Sequence, residues 1–199
     1  MEVLRRPDQS DWTKWACAYE WNITGTLNFI QNRKPHIEEA KRQWRSYFNI
    51  VDRLIYGKAY TQVNRLPRFA CVHLGGNGDN PHLQFVALSA DDPAPLCMAL
   101  NAIWAGFPLA APPSENSITP TISRLRSINY GGHEHWVQGA DTYFLELNHL
   151  PIDAAQPRTD AIERLSSYAK PIWRMRAELA YPAHVKKACD DHNERLTKV

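Results

Sequence analysis

FACVHLGGNGDNPHLQFVALSA, residues 69–90, decides the fold: it reads as two strands joined by a tight turn. FACVHLGG and HLQFVALSA carry the period-two pattern of strands. GGNGDNP between them supplies the Gly and Asn residues that accept the positive φ angles of a hairpin. Alternation places Phe69, Cys71 and His73 on one face of the first strand, and His82, Gln84 and Val86 on one face of the second. The two sets can face each other across the pair.

Upstream, WNITGTLNF (residues 21–29) alternates in the same way, with Trp21, Ile23, Gly25, Leu27 and Phe29 on one side and Thr24, Thr26 and Asn28 on the other. From Ile37 the period changes. Ile37, Ala40, Trp44, Tyr47, Phe48, Val51, Leu54 and Ile55 recur at three- and four-residue steps, an amphipathic helix of about five turns that Gly57 should stop. Downstream, DDPAPLCMALNAIWAGF begins with an acidic cap and a proline in the first turn, and continues as a helix to about Ala105. ITPTISRLRSI (residues 118–128) reads as a fourth strand, NYGGHEHW as a break, and DTYFLELNHL as a strand or a short helix. From Thr159 the pattern is helical, interrupted at Pro171 and Pro182.

This order predicts an α+β fold, an antiparallel central sheet with helices packed on one face and a C-terminal helical tail, leaving the other face open to a ligand. The expected division is an N-terminal arm (1–20), a main domain (21–150) and a helical appendage (151–199). A chain of 199 residues suits one well-packed domain with an appendage.

Hydrophobic residues at 44% and charged residues at 22% are ordinary globular values, and the formal net charge of +2 does not by itself announce a nucleic-acid binder. Basic clusters are local: Arg33 with Lys34, Lys41 with Arg42 and Arg45, Arg65 with Arg68, Arg124 with Arg126. The four cysteines are far apart without CxxC spacing, and no N-terminal apolar segment precedes them, so a reducing, cytoplasmic setting is expected. No run approaches the ~20 apolar residues of a membrane span.

The chain has no GxxxxGK[ST] loop, no GxGxxG after a strand, no GxSxG and no HExxH, which sets aside the common phosphate-loop, dinucleotide, serine-hydrolase and zinc-protease chemistries. What remains is the hairpin. His82 and Gln84 point to one side of a strand, and His73 on the paired strand can complete a facial ligand set suited to Mg²⁺ or Mn²⁺. On spacing alone the same histidines read first as ordinary hairpin residues bonding loop carbonyls, with the ligand set as the minority reading.

TGTLNF on a first strand and PHLQF on a central strand resemble motifs one and two of the HUH endonucleases, the replication initiators and relaxases that nick single-stranded DNA with a tyrosine. HLQ is similar to the variant in the Rep proteins of circular single-stranded DNA viruses. The stretch from AKRQWRSYF through RLIYGKAY to RLPRFACVHLGG also resembles small phage- and plasmid-associated Rep-like proteins.

The resemblance covers about residues 20 to 150 and implies a Rep-like, RRM-related α+β fold. Its implied activity is metal-dependent, site-specific nicking and joining of DNA in rolling-circle replication. The alternative is a degenerate Rep-like module that binds nucleic acid or interferes with replication without cutting. The resemblance puts a metal ligand at His82, Gln84 at the second-histidine position, and His73 where an acidic ligand often sits. Mg²⁺ or Mn²⁺ is the implied cofactor. A tyrosine followed three residues later by lysine is the family pattern, and no YxxK occurs here. Tyr130, with His133 in the lysine position, is the favoured nucleophile, followed by Tyr143. Lys34, Arg42, Arg124 and Arg126 are the expected DNA-tracking residues. The implied partners are single-stranded DNA or an origin hairpin and a host helicase, with no membrane.

Overall fold

The computed structural model describes residues 16–59, 64–112, 115–121, 126–132, 145–150 and 157–175, together with 14, 187, 188, 190, 191 and 194. Four strands, β1 (Ile23–Leu27), β2 (Arg68–His73), β3 (His82–Ala87) and β4 (Ser117–Pro120), form one sheet in the order β2-β3-β1-β4, each pair antiparallel. Three longer helices accompany them: α1 (Ile37–Tyr56), α2 (Pro93–Ala105) and α3 (Ala161–Met175). The chain is therefore α+β with an antiparallel sheet, as expected.

Period decides each element. The apolar stripe of α1 buries Ala40, Trp44, Tyr47, Phe48, Val51 and Ile55, and Gly57, at φ 59°, ends the helix in a conformation that suits glycine. α2 is apolar on nearly every side, which fits a helix wedged among α3, β4 and β1. Its start is fixed by Asp92, whose carboxylate accepts the Ala94 N–H at 3.0 Å.

Ile23, Leu27, Ala70, Val72, Leu83, Phe85, Ala87 and Ile118 form the sheet's contribution to the main core beneath the helices. Gly25 lies on this face because Phe85, its register partner, occupies the space a side chain would need; a Cβ there would come within 2.2 Å of the Phe85 ring. Gly25→Ala should thus destabilise the fold by about 1–3 kcal/mol, read as a shift in the urea midpoint. An unchanged midpoint would contradict this packing.

Both sheet edges are closed by asparagine amides, which blunts their tendency to pair with other chains. On β2, the Asn148 side chain accepts the Ala70 N–H at 2.7 Å and donates to the Ala70 carbonyl at 3.1 Å. On β4, Asn101 of α2 does the same for Ile118, at 3.2 and 2.7 Å.

Four expectations need correction. The fourth strand ends at Pro120, with one further rung from the Thr121 N–H to the Asn22 carbonyl at 2.9 Å, and residues 126–132 are helical where a strand and then a break were expected. The sheet's second face is not left open. Ala16, Trp21 and Ile128 close over Phe69, Cys71 and Val86 in a second, smaller apolar cluster, so the segments 126–132 and 16–21 lie on that side. α3 is part of the main core and not an appendage, since Ala161, Leu165 and Ala169 are buried in it. Arg68, read as half of a surface cluster with Arg65, is fully buried. It makes a two-pronged bond to the buried Asp52 carboxylate at 2.9 and 3.1 Å, with its guanidinium 4.2 Å from the Phe48 ring centre.

DTYFLELNHL contains a short 3-10 turn at Leu145–Leu147, and its first residues lie outside those described. His149 then bridges to Arg68, and its Nε2 is buried without a hydrogen-bond partner among the described residues. Burial first, and then the nearby charges of Arg68 and Arg65, push its pKa down to about 3 from 6.5. The folded state favours the neutral ring, so the stability this contributes is full above pH 6.5 and is lost progressively as pH falls toward 3. Urea unfolding across that window should show a decline that His149→Leu flattens; an equal decline in both proteins would contradict it.

Candidate functional site

The hairpin register sets the site. His73 pairs with His82 and Cys71 with Gln84, so the two histidines stand opposite each other at one end of β2 and β3. Their rings meet edge to face, 5.0 Å between centres. A polar row crosses β3, β1 and β4 behind them, because Gln84 also pairs with Thr26, and Thr26 with Ser117. Within that row, the Thr26 hydroxyl donates to Gln84 Oε1 at 2.8 Å. Sequence alternation put Thr24 and Thr26 on this face, but only the register reveals that Thr26 holds Gln84.

Both histidines have one ring nitrogen engaged by a backbone carbonyl. His82 Nδ1 donates to Asn80 O at 3.0 Å, and His73 Nε2 donates to Gly131 O at 2.6 Å. A carbonyl only accepts, so each contact fixes a tautomer: the lone pair falls on Nε2 of His82 and on Nδ1 of His73. His73 is 1% exposed and Gln84 8%, while His82 is partly exposed.

The helical segment 126–132 runs over this face. A Cβ built on Gly131 would sit 3.9 Å from Gln84 Cβ, so the backbone passes close over the base of the Gln84 side chain. Between segment and sheet lies a groove of about 430 Å³, walled by Thr24, Thr26 and Gln84 below and by Arg126, Ser127 and Tyr130 above. Tyr130 is 56% exposed, and its ring centre is 5.9 Å from that of His73. Tyr130 and Gln84 thus line a groove that opens to solvent, with His73 beside the Tyr130 ring and His82 beside His73.

The remaining candidates divide. Arg126 walls the groove. Lys34 follows β1 at the end of the sheet that bears the histidines, and forms an ion pair at 3.5 Å with Asp79 of the hairpin turn. Arg42 is not brought to the site: it lies on α1, which packs against the opposite face, and it pairs with Glu39 one turn earlier. Tyr143 and Arg124 lie outside the described residues, as do His133 and His135.

Among the described residues no three His, Cys, Asp or Glu side chains gather as a metal-binding group; the candidate set has only two such members, with an amide as the third. Of the cysteines, Cys17, Cys71 and Cys97 form no disulfide among the described residues, and burial pushes the Cys71 thiol up to about 12, out of range as a nucleophile. No helix among the described residues is long and apolar enough to cross a membrane. No protein-family model, curated protein or solved structure matches the chain.

Proposed function

We propose that this chain nicks and rejoins single-stranded DNA through Tyr130, with a divalent cation held at His82 and Gln84. The observation that carries the reading is the seating of the Tyr130 segment across the sheet, with His73 between the tyrosine ring and His82 at 5.9 and 5.0 Å. The β-α-β-β-α-β order, with the HLQ strand in the middle of the sheet, supports it as well.

The residues fit such a cation. A histidine whose second nitrogen donates to a carbonyl is the usual arrangement of a metal ligand, and His82 has it through Asn80. Gln84 presents an amide oxygen already oriented by Thr26. One imidazole and one amide oxygen, with the remaining positions left to water and phosphate oxygens, suit Mg²⁺ or Mn²⁺. A cation bound there supplies charge stabilisation for the phosphate oxygens in phosphoryl transfer.

The Tyr130 oxygen forms a bond to phosphorus as the bond to the 3′-oxygen breaks, leaving a 5′-phosphotyrosine and a 3′-hydroxyl. Net, the phenolic proton passes through water to the departing oxygen. Arg126 tracks the backbone beside the groove, and the groove walls of Thr24, Thr26 and Ser127 offer hydrogen bonds to an unstacked base.

Incubation of the protein with labelled single-stranded DNA and Mn²⁺ tests this. Cleaved strands with a free 3′-hydroxyl are expected, and they should disappear with chelator. A second reading, binding without cutting, is favoured by the amide at Gln84 and the absence of YxxK. It predicts salt-sensitive retention of an intact strand that needs no metal.

A further inference from the structure

We infer that His73 is a positioning residue that straps the segment 126–132 to the sheet and so holds Tyr130 in place, instead of acting as a ligand of the cation; the catalytic part of this rests on the nicking reading. His73 is buried to 1% exposure, and its Nε2–H is committed to the Gly131 carbonyl at 2.6 Å. That contact uses the ring nitrogen that reaches farthest from its own backbone.

The strapped segment needs such a hold. Its last described residues are Gly131 and Gly132, and each glycine in a helix costs about 1 kcal/mol relative to alanine. Ile128, 1% exposed, anchors the segment on one side by packing in the small apolar cluster over Phe69 and Val86. His73 anchors it on the other side, through the backbone and not through a side chain. Tyr130 lies between these two anchors, with its ring against that of His73. A side chain that bonds the residue next to the nucleophile fixes where the phenol can swing, and misplacement of a reacting group by about 1 Å costs roughly a hundredfold in rate.

The geometry also separates two roles by chemistry. Glutamine at position 73 can offer an amide N–H near the place of Nε2 and keep the strap, whereas asparagine is too short and alanine has no donor. A strap is therefore rescued by His73→Gln and lost in His73→Asn and His73→Ala.

Full-length wild-type protein and the three variants decide it through three readouts: amide hydrogen exchange without DNA or metal, affinity for Mn²⁺ alone, and the rate of covalent adduct formation on single-stranded DNA. Exchange in residues 126–132 should rise about tenfold in His73→Asn and His73→Ala, with β1 and β3 unchanged, and return to wild type in His73→Gln. Mn²⁺ affinity should stay at the wild-type value in His73→Gln. Adduct formation should fall about tenfold or more in His73→Asn without loss of DNA affinity, and recover in His73→Gln.

Should His73→Ala loosen the whole sheet, the His73→Asn and His73→Gln pair carries the comparison. Unchanged exchange in His73→Asn, or lost Mn²⁺ affinity in His73→Gln, overturns the strap. If wild-type protein forms no adduct while exchange responds as expected, the strap stands and the nicking reading falls.

Discussion

Arg68→Met is expected to destabilise the protein by about 3–5 kcal/mol, the largest stability effect of any single change considered. The reason is the charge it abandons. Asp52 is fully buried, and its carboxylate is satisfied by both prongs of the Arg68 guanidinium and by the Leu66 N–H at 2.9 Å. Removing the guanidinium leaves the buried carboxylate with only the Arg65 guanidinium, 4.0 Å away, as counter-charge, and also orphans the carbonyls of Leu66 and Leu147 that Arg68 serves. Burial lowers the Arg68 pKa and Asp52 raises it again, so the pair survives as an ion pair only because each partner is present.

Asp52→Asn should be costly for the mirror-image reason. The double variant Asp52→Leu/Arg68→Met should recover a substantial part of the loss, because a buried pair replaced by apolar side chains loses no uncompensated charge. Urea unfolding of the four proteins checks this. A loss under about 1 kcal/mol in Arg68→Met would mean the pair behaves as a surface ion pair does.

Tyr130→Phe is expected to abolish covalent attachment to DNA while leaving single-strand affinity in place, since only the attacking oxygen is removed and the ring contact with His73 is kept. His82→Ala should reduce the same reaction by about a thousandfold, the equivalent of the several kcal/mol that a cation contributes to phosphoryl transfer. The His82 variant should also lose its response to added Mn²⁺. Tyr130 is largely exposed and His82 is only partly buried at the end of its strand, so neither change should unfold the chain. Adduct formation by Tyr130→Phe at the wild-type rate would remove this tyrosine from the mechanism.

The sheet and its helices were legible because each carries a simple period: two in WNITGTLNF and in the hairpin strands, near 3.6 in Ile37–Tyr56, with Gly57 and Asp92 marking ends. Facing of His73 toward His82 and Gln84 followed from alternation and a short turn. What period could not show was the path of residues 118–132. ITPTISRLRSI has strand-like residues throughout, yet the strand ends at Pro120 and residues 126–132 are helical, against the propensity of Gly131 and Gly132. Tertiary contacts hold it there: Ile128 in an apolar cluster and Gly131 on a histidine.

Arg68 misled for a related reason. A charged residue at a strand start reads as surface, and nothing local announces that Asp52, sixteen residues earlier on a helix, will meet it. Arg42 lies on the far side of the sheet from the histidines because the face a helix turns to solvent is fixed by its packing, which sequence gives only relative to its own stripe. Thr26, the residue that orients Gln84, was visible as a polar strand position but not as a partner.

The most direct test of the account is to map the covalent adduct. Wild-type protein incubated with Mn²⁺ and single-stranded DNA is digested with nuclease and trypsin, and the phosphonucleotide is located by fragmentation within the peptide from Ser127 to Arg158, which contains both Tyr130 and Tyr143. The account predicts a 5′-phosphonucleotide on Tyr130. An adduct on Tyr143 or another residue, or none with either Mn²⁺ or Mg²⁺, would contradict it.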